Sequence, residues 1–172
     1  MTYLKNLNIE FQSAKDFFDA FMILSKNNEY VRSEITKNNP FDLNFSPEVK
    51  KRFDSGELRE SMLAAIVCLS FSIELYLKGL ITKLTGNPPM KHLLKDLFFS
   101  LPDDAKTEII KNTEMNYGES MSEQEFMDCL AGINNAFVEW RYIYENGKAS
   151  FRPNFGVSFV RAIAAEASHN IT

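Results

Sequence analysis

The sequence is poor in the residues that carry metal and thiol chemistry. Among 172 residues there are two cysteines and two histidines. Cys68 and Cys129 both fall inside apolar helical patterns, so free core thiols are expected rather than a disulfide, and a reducing compartment fits. These four residues are too widely spaced to match a zinc pattern. There is no glycine-rich phosphate loop and no nucleophile elbow. No Cys–His nucleophile pair is visible by spacing. Neither a metal nor a cofactor is expected.

A surplus of positive charge is also missing. The 19 Lys and Arg are outnumbered by 23 Asp and Glu, giving a net charge of −4 and a pI near 5.3. That argues against indiscriminate nucleic-acid binding by charge alone, while leaving room for a local basic groove. The opening residues, MTYLKNLNIE, hold no long apolar run, so no secretory signal is expected. The longest uncharged stretch of the most apolar segment, Ser61 to Ile73, is too short to span a bilayer. Internal repeats, low-complexity tracts and interdomain linkers are absent, and strand signals are weak. The expectation is one cytoplasmic domain over residues 1–172, with no membrane association and enough chain to bury a core.

What is abundant is apolar helix. From Met62 to Leu77, thirteen of sixteen residues are apolar. Such a segment cannot confine its apolar side chains to one stripe, and a helix apolar all round is a buried one. Asp54 and Glu57 make a capping-box pattern that opens it. The run Thr85-Gly86-Asn87-Pro88-Pro89 closes it near Leu84.

Other helices flank it. Phe11, Ala14, Phe18, Phe21 and Leu24 recur at helical spacing between about Glu10 and Lys26. A long polar connection, Asn27 to Gly56, contains Ser46-Pro47-Glu48, which predicts a short helix to about Phe53. Another short helix is predicted from Lys91 to Leu101. Pro102, Asp103 and Asp104 open one that fades near Met115. Ser122 and Glu125 form a second capping box. The helix it starts carries Phe126, Leu130, Ile133, Phe137, Trp140 and Tyr144, and ends near Asn146-Gly147. A last helix follows Asn154, with Val157, Val160, Ile163, Ala164 and Ala167 on one face. The sum is all-α: an antiparallel four-helix bundle with extra short helices.

Three polar constellations stand out. Glu74 and Lys78, at i and i+4, are neighbours set into the apolar helix. They form either an exposed ion pair worth a few tenths of a kcal/mol or a charged pocket wall. Arg141, Glu145 and Asn134 make a polar stripe beside the Trp140 seam. It is either a solvated face or a groove in which Arg141 grips phosphate and Tyr142 stacks on bases. His92, in KHLLKDLF, has Asp96 one turn on to orient its ring, or is simply a solvated imidazole. His169 lies at the fraying end of the last helix.

Three passages together resemble the HEPN superfamily, the higher-eukaryote and prokaryote nucleotide-binding domains. They are LSFSIELYLKGLITKLTG (Leu69 to Gly86), KHLLKDLFFSLP (Lys91 to Pro102) and AFVEWRYIYE (Ala136 to Glu145). The resemblance implies a helical bundle that forms homodimers. Many members are metal-independent ribonucleases of toxin–antitoxin and antiviral defence systems. Others bind RNA, nucleotides or protein partners, and a nucleotidyltransferase-type antitoxin is one such partner. The nuclease members carry an arginine followed, after four to six residues, by a histidine. Arg141 stands where that arginine would be, but the histidine positions hold Asn146, Gly147 and Lys148. RNA cleavage by 2′-hydroxyl attack needs a group that moves protons near neutral pH, a role imidazole suits and asparagine cannot fill. The expectation is therefore a non-catalytic or degenerate member that binds RNA or a partner protein through Arg141, Glu145, Tyr142 and Asn134, with Glu74 and Lys78 on a facing helix. The alternatives are a ribonuclease in which His92 supplies the missing imidazole, and a structural adaptor working through Asn27 to Gly56.

Overall fold

The computed structural model describes residues 2–26, 59–139 and 152–169. All regular structure among them is helical: α1 (Thr2–Lys26), α2 (Arg59–Thr85), α3 (Leu94–Phe99), α4 (Asp103–Tyr117), α5 (Glu123–Glu139) and α6 (Pro153–His169). The expected short helix at Ser46 to Phe53, the Asp54/Glu57 box and the Asn146-Gly147 stop lie outside the described residues.

The apolar segment forms α2, about 40 Å long at 1.5 Å per residue. It is the central helix, with α1, α3, α5 and α6 all packed on it. Leu69, Ile73, Leu77 and Leu80 are completely buried. Ala64–Thr85 is long and apolar enough to cross a membrane by length and composition, at a mean hydropathy of 1.7. The segment carries Glu74, Lys78 and Lys83 in its second half, and its uncharged run to Ile73 alone falls short of a span. Here the hydropathy is accounted for by neighbours, because the same segment packs against four other helices.

α1 runs antiparallel to α2. Phe17 stacks on Phe71, Ser72 donates to the Ala14 carbonyl at 2.8 Å, and Phe11 reaches Tyr76 and Gly79. α1 begins at Thr2, earlier than the expected Glu10, because buried Leu7 extends the Ala14–Phe21 stripe backwards. The helix therefore holds Glu10 rigidly instead of starting there. α6 is parallel to α2: Gly156 lies against Leu69, and Lys83 donates to the Ala167 carbonyl near the other end. Relative to α2, α1 is thus antiparallel and α6 parallel. Lys83 places a cation where the C-terminal end of the α6 dipole favours one.

An aromatic knot joins the shorter helices. Phe98 of α3, Phe126 of α5, and Phe155 and Phe159 of α6 are essentially inaccessible to solvent. Their ring centroids lie 5.2–5.8 Å apart, mostly edge to face. Each such pair adds about 0.5–1.5 kcal/mol beyond area burial. The Ser122–Glu125 capping box forms in full: Glu125 Oε2 accepts from the Ser122 amide and hydroxyl, each at 2.8 Å, and the Ser122 hydroxyl accepts from the Glu125 amide. α4 extends to Tyr117, two residues beyond the expected fade. Gly118 stops it in the left-handed region at φ 86°, its amide bonded to the Glu114 carbonyl.

α3 is shorter than the predicted helix. Pro88 and Pro89 hold the approach extended, and Leu93 is still extended at φ −71°, ψ 122°. Lys91 and His92 therefore sit on a strut before the helix, not in its first turns.

Candidate functional site

The strut brings His92 back onto α2. Lys78 Nζ lies 2.8 Å from Glu74 Oε1, and His92 Nδ1 lies 2.9 Å from the same oxygen. Lys78 Nζ and His92 Nδ1 are 3.3 Å apart. Glu74 and Lys78 are only 19% and 16% exposed, so they are not the surface ion pair of a helix end. The imidazole is 77% exposed. The carboxylate that orients the ring is Glu74, eighteen residues back, and not Asp96 as the sequence suggested. Helical spacing pointed to Asp96, but His92 is not in the helix.

The contact distances favour one place for the proton. An ammonium can only donate, and a carboxylate can only accept. Nδ1 can serve one of them and not both. The shorter contact is to the carboxylate, which favours a proton on Nδ1. In the neutral ring, Nε2 then carries the lone pair on the exposed edge, with no hydrogen-bond partner among the described residues.

A fourth member was not anticipated. Glu10 of α1 faces Lys78, whose charge favours its ionised form, but burial outweighs this and pushes the carboxyl above its ordinary range. Its Oε2 is buried without a hydrogen-bond partner. One ammonium thus stands between two carboxylates, one well bonded and one not. The apolar stripe of α1 is legible in the sequence, whereas the charge next to it carries no local signal.

A second cluster lies at the start of α6. The Arg152 guanidinium sits beside the Cys129 thiol and the Tyr117 phenol, over a cavity of about 110 Å³ walled also by Glu125, Asp128 and Gly132. Burial pushes both the thiol and the phenol up, against the pull of Arg152. Cys129 is a protonated core thiol, as its place in the apolar seam implied, while Cys68 is only half-buried and equally free.

Arg141, Tyr142 and Glu145 lie outside the described residues. Asn134 falls in α5, but its side chain is likewise not described. Of the expected site residues, the structure therefore joins Glu74, Lys78 and His92. Among the described residues, no group of three or more metal-ligating side chains converges. The chain matches no protein-family model, no curated protein and no solved structure.

Proposed function

We propose that the chain is a HEPN-like bundle built around α2, a non-catalytic or degenerate homodimeric member that binds RNA or a partner protein in a bacterial defence or toxin–antitoxin setting. The observation that carries the binding reading is the saturation of Lys78. Its ammonium is held by Glu74 at 2.8 Å and faced by Glu10, so it has no spare charge for a transition-state phosphate. What the site offers outward is recognition surface: the exposed His92 edge between the exposed side chains of Met90 and Leu93. Two apolar side chains beside that edge suit a protein partner. The order of the long apolar α2, its proline turn and the short α3 supports the HEPN-like reading, since these are two of the three passages that carry the resemblance.

Purified protein titrated with labelled RNA, and with the product of a neighbouring gene, tests this. Arg141→Ala should weaken binding while leaving Tm nearly unchanged. Unchanged binding by a well-folded mutant removes the Arg141 groove. The second reading, a metal-independent ribonuclease using His92, is favoured by the Glu74-oriented ring with its outward Nε2. Incubation with total RNA in chelator decides it. Absence of cleavage, or cleavage that survives His92→Ala, eliminates this reading.

A further inference from the structure

We propose that His92 Nε2 is a phosphoryl-acceptor site, modified by a donor of the acyl-phosphate or phosphoramidate class. This goes beyond the binding reading and can fail while that reading stands. Three features of the geometry converge on it. The shorter of the two contacts of Nδ1 is to Glu74 at 2.9 Å, against 3.3 Å to Lys78, which favours the tautomer with the lone pair on Nε2 as the ring's nucleophile. The ring is exposed on the strut, open to a donor from solvent. The strut and the first turn of α3 carry Lys91 and Lys95, both exposed and neither ion-paired among the described residues. Opposing charges are Glu74 and Glu10, which lie on the α2 side with Lys78 between them, and exposed Asp96 on α3.

The step balances without an outside base. The Nε2 lone pair attacks phosphorus, the N–P bond forms, and the P–O bond of the acyl phosphate breaks. The leaving carboxylate takes the electron pair. The ring keeps its Nδ1 proton and becomes cationic; the Glu74 carboxylate 2.9 Å from Nδ1 stabilises that charge, against the Lys78 ammonium at 3.3 Å. With phosphoramidate the P–N bond breaks instead, and ammonia leaves with the protons it already carries.

The chain contains its own control, since His169 is the only other histidine. Full-length protein is incubated with potassium phosphoramidate near neutral pH, and each histidine is followed by peptide mass spectrometry under alkaline conditions that preserve phosphohistidine. His92 should be modified about tenfold faster than His169, the factor that corresponds to ~1.4 kcal/mol of transition-state stabilisation. Nitrogen-15 NMR should place the phosphoryl group on Nε2. Glu74→Gln, which keeps an acceptor but removes the charge, should bring the His92 rate close to that of His169. Equal rates at the two histidines in the native protein, or phosphorylation on Nδ1, overturns the proposal whether or not the Glu74 variant folds. An undiminished rate in a folded Glu74→Gln protein overturns it equally.

Discussion

Gly79 of α2 lies directly under the Phe11 ring of α1, and Gly79→Ala tests whether that approach is enforced by packing. A methyl built there would lie 2.8 Å from Phe11 Cε1 and 3.1 Å from Cδ1 and Cζ. Two effects oppose each other. Replacing a mid-helix glycine by alanine gains roughly 0.5–1 kcal/mol of backbone entropy. Overpacking typically costs about 1–3 kcal/mol. Phe11 is half-buried and lies against Tyr76 with ring centroids 6.2 Å apart, so it has limited room to swing. The overpacking should prevail, with a net loss of about 0.5–2 kcal/mol. In a Phe11→Ala background the opposing ring atoms are gone. There, Gly79→Ala should gain about 0.5–1 kcal/mol. Urea unfolding of the four proteins, followed by far-UV circular dichroism, closes the double-mutant cycle. An equal effect of Gly79→Ala in both backgrounds would show that Phe11 does not limit the approach, and the reasoning fails.

Phe126→Ala removes the ring at the middle of the aromatic knot and should cost about 3–5 kcal/mol, read as a lower urea midpoint; a loss under ~1 kcal/mol would mean the knot collapses around the gap. Ser122→Ala should cost about 1 kcal/mol and speed amide exchange in the first turn of α5. The Ser122 bonds also hold the Glu125 carboxyl below its usual range, so the wild-type cap acts above the ordinary carboxylate pKa and fades as pH falls through the depressed value. Glu10 has the opposite sign: its carboxyl is raised, so its ionisation weakens the fold as pH rises. Glu10→Gln should therefore raise Tm at pH 7 and make no difference in acid below the ordinary carboxylate range, by calorimetry at both pH values.

The parts of the fold legible in the sequence were those governed by local rules. The Ser122–Glu125 box depends on spacing alone, and it formed as read. The burial of α2 followed from apolar residues too numerous for one stripe. What the sequence concealed was decided between elements. Phe155 and Phe159 fall outside the stripe formed by Val157, Val160 and Ile163, so spacing alone gives them no place in the core. In the fold α6 touches α2, α4 and α5, so residues 155–160 are all buried and no single stripe describes them. His92 shows the same limit in the site. Its residue type marks it as a candidate, but helical spacing points to Asp96 as its partner. The two prolines moved it onto a strut, and the strut set it against Glu74 on another element.

The close packing of α1 on α2 also explains why the cluster is electrically unbalanced. Ala14 and Gly79 let the helices approach, and Ser72 fixes the register by donating to the Ala14 carbonyl. That register sets Glu10 over Lys78, although Lys78 already has Glu74. With a neutral ring, the group carries two negative charges and one positive. Lys78 is therefore the member whose loss the others tolerate least. Lys78→Met keeps the alkyl stem but leaves two carboxylates facing each other across a largely buried interface. Removing one partner of a buried pair costs about 3–5 kcal/mol, and at 16% exposure Lys78 belongs at the lower end, about 3 kcal/mol. Glu10→Gln, in contrast, relieves the surplus. Urea denaturation should rank Lys78→Met as more damaging than Glu74→Gln, and the double variant Lys78→Met, Glu10→Gln should recover part of the loss. If Glu10→Gln gives no recovery in the Lys78→Met background, Glu10 does not share the electrostatics of this site, and the saturation of Lys78 reduces to its single bond with Glu74.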